Sequence, residues 1–164
     1  MTYCVPPSTK FEKLGVIHLA CCPRAPYLAR QAITRWLGGA HAAVEGAVLV
    51  ASELVTNAVK YADASGPGNE LGQVTLTLSQ NTALIRLGVT DPGSRCSIPA
   101  CIPLQAPNVS SENGRGLAIV ENLSRGRWGT YRMPRTGYRH VWCHLDRDPS
   151  EAQLEELYCA RVAG

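Results

Sequence analysis

The stretch Glu53-Leu54-Val55-Thr56-Asn57-Ala58-Val59-Lys60-Tyr61-Ala62 lies in a pattern of apolar residues at helical spacing that covers residues 44–62. At 3.6 residues per turn, Asn57 lies about 40° from Glu53 around this helix, and Lys60 lies about 20° to the other side. A carboxylate, an amide and an ammonium group therefore project together from a helix whose opposite side is apolar. This stripe suits a metal and phosphate site, although the solvated side of any amphipathic helix shows the same spacing.

The composition predicts one packed domain. The chain has 164 residues, of which 45% are hydrophobic and 18% charged. Its net charge is only +3 and it contains no long run of Lys or Arg, which argues against a nucleic-acid-binding protein. The N-terminus shows no export signal and no apolar run is long enough for a membrane span, so we expect a cytoplasmic protein without membrane contact.

The cysteines do not predict a metal site or a disulfide framework. Seven are present without C-x-x-C spacing, which is typical of reduced thiols. A zinc ion could be drawn between His140, Cys143 and His144, but on a strand the two histidines face one side and Cys143 the other. We therefore expect no structural zinc.

Strand and helix patterns follow one another along the chain. The predicted strands are 14–22, 74–78, 83–90, 128–132 and 138–145, and the predicted helices are 24–37, 44–62, 114–125 and 149–163. Ser150 is the expected N-cap of the last helix. Together they predict an α/β (α+β) two-layer sandwich, with a mixed, mainly antiparallel sheet covered on one face by the first three helices. We divide the chain into an arm (1–13), a domain (14–148) and a helical tail (149–164).

Asp91 continues the apolar alternation of the strand 83–90, so its carboxylate should point toward the helix-covered face, where it needs a partner. Such a carboxylate can accept a hydrogen bond from an amino group like that of adenine, unless it only caps the turn at Pro92-Gly93. The loop 94–113 that follows has no periodicity. A loop of this length is typical of a lid or binding loop, which we expect to become ordered with a ligand.

The segment Gly114-Arg115-Gly116 precedes a helical pattern and has two interpretations. It can be a simple turn, or its glycines can let the backbone and the N-terminus of the helix approach phosphates. In the second case the amide oxygen of Asn57 is a suitable Mg²⁺ ligand and Glu53 can accept a proton from an attacking hydroxyl group. Lys60 would then neutralise phosphate charge.

Three segments resemble the sequence boxes of the GHKL ATPases, a family named for gyrase, a heat-shock chaperone, histidine kinases and a mismatch-repair protein. The first box is 53–62, the second is Val89-Thr90-Asp91-Pro92-Gly93, and the third is Gly114-Arg115-Gly116-Leu117-Ala118-Ile119-Val120. Over residues 24–145 the chain is most similar to the bacterial anti-sigma-factor serine/threonine kinases. Such kinases bind ATP in a Bergerat-type sandwich, hold a sigma factor and phosphorylate a serine on an antagonist protein.

The resemblance implies that Glu53 is the catalytic base and that Asn57 holds the Mg²⁺ of a bound ATP. It implies adenine recognition at Asp91 and Gly93 and a phosphate cradle in the third box. The nucleotide-binding residues implied in this way are Asn57, Lys60, Asp91, Gly93, Gly114, Arg115, Gly116 and Leu117. The chain departs from the family at Arg95, which stands where the second box has its last glycine.

Three functions remain open from the sequence. The first is an ATP-dependent serine kinase that binds a sigma factor and an antagonist protein, alone or as a homodimer. The second is a non-catalytic nucleotide-binding or partner-binding module of the same fold, in which Arg95 marks loss of the site. The third, the ATP-binding half of a histidine kinase, is disfavoured because no histidine lies in a helical dimerisation segment before the domain.

Overall fold

The computed structural model describes residues 10–61, 72–92 and 112–162, which form five strands and four helices. In chain order these are β1 (Glu12–Ala20), α1 (Ala25–Leu37), α2 (Val44–Tyr61), β2 (Gln73–Gln80), β3 (Leu84–Asp91), α3 (Glu112–Ser124), β4 (Trp128–Arg132), β5 (Arg139–Asp146) and α4 (Glu151–Val162). Each predicted strand and helix is present, with bounds that differ from the predicted ones by a few residues.

The strands form one five-stranded sheet in the order β1-β2-β3-β5-β4, and each neighbouring pair is antiparallel. Strand β1 lies at one edge, as predicted, and β4 lies at the other. The α+β architecture is therefore confirmed. The parallel pair that a mixed sheet requires is absent from the described residues, because the hairpin β4–β5 joins the sheet with β5 antiparallel to β3.

One face of the sheet carries the hydrophobic core because apolar side chains alternate along its central strands. The buried side chains of β2 and β3 on this face are Val74, Leu76, Leu78, Ile85, Leu87 and Val89. Helices α1, α2 and α3 all contribute to the same core. Small buried residues such as Ala29, Ala47 and Ala51 let α1 and α2 lie close to each other and to the sheet.

Helices α2 and α3 are oriented so that α2 begins and α3 ends near the same end of β5. Gly46 of α2 and Leu123 of α3 line a small cavity together with Leu145 and Asp146 of β5. Just after α3, Arg127 forms an ion pair with Asp146 at 2.9 Å. The C-terminal half of α2 and the start of α3 therefore point toward the opposite end of the sheet, where β3 ends and β5 begins.

Helix α4 begins at the predicted cap. Ser150 Oγ accepts a hydrogen bond from the backbone N–H of Gln153 at 3.4 Å, and Gln153 Oε1 accepts one from the N–H of Ser150 at 2.6 Å. This reciprocal pair is a capping box, which satisfies two donors at the helix start. Among the described helices, none combines the length and apolar character that crossing a membrane requires. The division into arm, domain and tail stays a prediction.

Candidate functional site

Helix α3 approaches α2 at Gly116, which lies against the polar stripe of α2. A Cβ atom on Gly116 would come within 2.5 Å of Glu53 Oε2 and 3.6 Å of Asn57 Nδ2. The first of these distances is well inside van der Waals contact, so a residue with a side chain would have to displace the carboxylate. The structure thus brings together Glu53, Asn57 and Gly116, which the sequence assigned to one site.

The carboxyl group of Glu53 is half-buried at this contact. Burial raises its pKa above the ordinary value, and Glu53 makes no hydrogen bond or ion pair with the described residues. A carboxylate that is partly desolvated and lacks a cationic partner holds a proton more strongly than an exposed one. Glu53 therefore has the property needed by a general base that removes a proton from a hydroxyl group.

We expect Glu53→Gln to stabilise the folded protein at neutral pH. Because the folded-state pKa is raised, ionised Glu53 lowers stability at pH values above that pKa, and the loss disappears as the pH falls below the ordinary value of 4.5. The melting temperature at pH 8 should rise by roughly 1–4 °C. Thermal unfolding between pH 4.5 and pH 8 measures this gain, which should shrink toward the acidic end. Glu155→Gln on the exposed side of α4 is the matched control, and an equal gain there would contradict the effect at Glu53.

The other nucleotide-binding residues predicted on these two helices lie in the last turn of α2 and in the first two turns of α3. Lys60 is exposed in the last turn of α2. Gly114 and Arg115 lie in the first turn of α3, and Leu117 is half-buried in its second turn. Gly93, the remaining member of the predicted set, lies outside the described residues, as do Arg95 and most of the predicted lid.

The start of α3 corrects one expectation. The helix begins at Glu112, so the glycines lie within its first turns and do not open it. The N–H groups without an intrahelical acceptor are those of the first four residues, here 112–115, and they exclude Gly116. The absence of a side chain at Gly116 is instead explained by the Glu53 carboxylate packed against it.

Asp91 lies at the end of β3 on the core face, as predicted, and is fully buried. The partner that this carboxylate needs is Arg139, the first residue of β5, which lies directly opposite Asp91 in the strand register. Both Arg139 Nε and Nη2 lie 3.0 Å from Asp91 Oδ2. Cys21, just after β1, lies close enough to Asp91 to be affected by its charge. Burial first, and then the charges of Asp91 and Cys22, raise the pKa of the Cys21 thiol.

Arg139 is the functional candidate that the sequence did not identify. The sequence pattern that could have identified Arg139 is the alternation of β5. Val141, Cys143 and Leu145 face the core, and because side chains alternate along a strand, Arg139 faces the core as well. Combined with an inward-facing acid at the end of a neighbouring strand, that position identifies the ion pair. The register between β3 and β5 was the missing information.

Asp91 and the cluster around Glu53 lie toward the same end of the domain. Strand β3 ends and β5 begins there, and the orientation of α2 and α3 directs Asn57, Lys60 and the start of α3 toward it. The arrangement consists of two polar groups. Glu53 and Asn57 form the first on α2, and the ion pair of Asp91 and Arg139 forms the second where β3 ends and β5 begins.

The donor set suits a cation that is shared with a phosphate ligand. No group of three His, Cys, Asp or Glu side chains in the described ranges is placed to hold a metal ion. A hard cation at Asn57 would therefore take most of its ligands from water and from a bound anion, which is how Mg²⁺ is held in phosphate-binding sites. The amide oxygen of Asn57 fits that role.

Comparison with known proteins bears on the family and the fold of this chain. The family model described as histidine kinase-like ATPase domain matches residues 23–132. No match was found among curated proteins. A similar solved structure contains the RsbU and RsbW domains of Rv1364c from Mycobacterium tuberculosis, with a TM-score of 0.52 and 19% sequence identity.

That similarity covers 83% of this chain and 34% of the mycobacterial chain, so this protein corresponds to about a third of the longer one. At this level of identity the structural comparison shows a shared fold. The family model covers more than half of the chain, including α1, α2, β2, β3, α3 and β4. The chain belongs to the family of histidine kinase-like ATPase domains.

Proposed function

We propose that this protein is an ATP-dependent protein-serine kinase that binds a sigma factor and phosphorylates an antagonist protein of that sigma factor. The observation that carries the proposal is the packing of Glu53 and Asn57 against Gly116, in a chain of the histidine kinase-like ATPase family. A base and a metal ligand one turn apart on α2 are the parts that phosphoryl transfer to a hydroxyl group requires.

In the proposed reaction the serine hydroxyl group of the antagonist attacks the γ-phosphorus of ATP. A bond forms between the serine Oγ and the γ-phosphorus, and the bond from that phosphorus to the β–γ bridging oxygen breaks, which releases ADP. Glu53 accepts the proton of the hydroxyl group. The pKa of Glu53 is raised, and no described residue forms an ion pair with it, which suits this step.

We assign the phosphates of ATP to the last turn of α2 and the first turn of α3. Asn57 would hold Mg²⁺, which supplies charge neutralisation at the phosphates. The N–H groups in the first turn of α3, which includes Gly114, point out of the helix N-terminus and favour an anion there. Lys60, exposed in the last turn of α2, would add a positive charge.

The adenine ring is assigned to Asp91, whose carboxylate would accept a hydrogen bond from the amino group of the base. The sigma factor, the antagonist protein, a homodimer and a cytoplasmic location are proposed from the resemblance of the three sequence boxes.

A non-catalytic nucleotide-binding or partner-binding module is the second candidate. The observation that favours it is Arg95, in place of the last glycine of the second box.

Calorimetry of the protein with ATP, in the presence of Mg²⁺ and in the presence of EDTA, tests the proposal. We expect micromolar or tighter binding with Mg²⁺. Asn57→Ala should weaken the Mg²⁺-dependent binding by about tenfold or more, since the cation loses its protein ligand, and should leave binding in EDTA unchanged. Asn122→Ala, at an exposed position of α3, is the control and should match the wild type in both conditions. Absence of heat at millimolar ATP would leave only a partner-binding module.

A further inference from the structure

The ion pair at the end of the sheet uses only part of the Arg139 guanidinium group. Arg139 Nε donates a hydrogen bond to Oδ2 of Asp91, and Nη2 lies 3.0 Å from the same oxygen in the ion pair. A guanidinium group carries five N–H donors, so at least three are not needed for this contact. No described residue accepts a hydrogen bond from Arg139 Nη1.

The remaining donors of Arg139 are not sealed inside the core. Its side chain is 14% exposed, whereas that of Asp91 is 1% exposed. Within the described residues, the only buried side-chain nitrogen or oxygen without a hydrogen-bond partner is His144 Nε2. The unused N–H groups of Arg139 therefore reach accessible surface next to the Asp91 carboxylate.

Asp91 and Arg139 thus place a hydrogen-bond acceptor and a hydrogen-bond donor side by side. The Watson–Crick edge of adenine presents the complementary order, with the N6 amino group as donor and N1 as acceptor. We propose that Arg139 determines base specificity by donating a hydrogen bond to N1 of adenine while Asp91 accepts one from N6. The proposal rests on the ATP binding proposed above and adds a residue that reads the base.

The same pair would reject the bases that carry a carbonyl oxygen at position 6. Guanine and hypoxanthine present O6 as acceptor and N1–H as donor, the reverse of the order in adenine. In the pose that adenine adopts, O6 would face the Asp91 carboxylate and N1–H would face an Arg139 N–H. Both contacts are repulsive, and a site of buried polar groups discriminates strongly against ligands that leave them unpaired.

The test compares ATP with 1-deaza-ATP, in which a C–H group replaces N1, by calorimetry on the wild-type protein. A hydrogen bond from a charged donor predicts that ATP binds about 10- to 100-fold more tightly than 1-deaza-ATP. The control ligand is 7-deaza-ATP, which keeps N1 and N6 and should bind as ATP does. ITP should bind more weakly than 1-deaza-ATP, because it introduces both repulsive contacts.

Arg139→Met should remove the preference for ATP over 1-deaza-ATP, and Arg139→Lys, which keeps a charged donor, should restore part of it. The ratio of the two affinities within one variant is the readout, so a general loss of affinity or of stability does not mimic the result. Thermal unfolding of each variant shows whether it folds. If Arg139→Met does not fold, the ratio of the ATP and 1-deaza-ATP affinities in the wild type and in Arg139→Lys decides whether Arg139 contacts N1.

Equal binding of ATP and 1-deaza-ATP by the wild type would overturn the role of Arg139 while leaving the proposed function intact. A preference that persists in Arg139→Met would do the same and would assign the ion pair a structural role. If the wild type binds none of these nucleotides, the proposed function itself fails, and base recognition by Arg139 fails with it.

Discussion

Replacing Glu53 with alanine should slow phosphoryl transfer by about 10²-fold or more while leaving ATP affinity nearly unchanged. Glu53 would act on the proton of the attacking hydroxyl group, a contact that matters in the transition state and contributes little to holding ATP. Single-turnover conversion of bound ATP to ADP measures the effect, with water or a serine-bearing antagonist protein as the phosphoryl acceptor. Calorimetry on the same samples reports ATP affinity, and Glu155→Ala on α4 is the matched control.

The pH dependence of turnover is a second test of Glu53 as the catalytic base. Glu53 acts as a base only when ionised, and burial raises its pKa. Turnover should therefore be lost as the pH falls through this raised value, at a higher pH than an exposed glutamate would give. Glu53 variants that bind ATP and turn over at the wild-type rate would place the base elsewhere. If the wild type transfers no phosphate and the variants still bind a sigma factor normally, the kinase proposal fails and the non-catalytic module is the remaining function.

Local patterns predicted most of the fold because burial on one face imposes a period on the sequence. The alternation of Val74, Leu76 and Leu78 required a covered face, and the structure shows these side chains fully buried beneath helices. The same alternation placed Asp91 inward and required a partner for it. Such inferences need only the geometry of a single strand, which the sequence determines locally.

The partner of Asp91 could not be predicted in that way, because it depends on which residues of β3 and β5 lie opposite each other. Registers between strands distant in sequence are set by the packing of the whole sheet. The role of Gly116 has the same origin. A glycine before an apolar run predicts a turn or a phosphate loop, whereas its packing against Glu53 depends on how α3 crosses α2. The sequence therefore predicted the helices and strands, but it did not predict the contacts between them.

Gly116→Ala should therefore reduce phosphoryl transfer on the order of 10²-fold with little loss of stability. The new methyl group would lie 2.5 Å from Glu53 Oε2, so the carboxylate has to move away from its position beside Asn57. Movement is cheap for the end of a flexible side chain, and alanine favours a helix over glycine by about 1 kcal/mol, which offsets the strain. A displacement of about 1 Å at a reacting group is nevertheless enough to lower a rate by about 10²-fold.

Gly46→Ala in α2 is the matched control, because a Cβ atom there meets nothing within 4 Å. It should leave turnover unchanged and raise stability by up to about 1 kcal/mol. Single-turnover rates and urea unfolding of both variants measure the two effects separately. A large loss of stability in Gly116→Ala with an unchanged rate per folded molecule would show that Gly116 serves only the packing of α3 on α2. A lost rate in a stable protein, with Gly46→Ala unaffected, is the result that a catalytic Glu53 held against Gly116 requires.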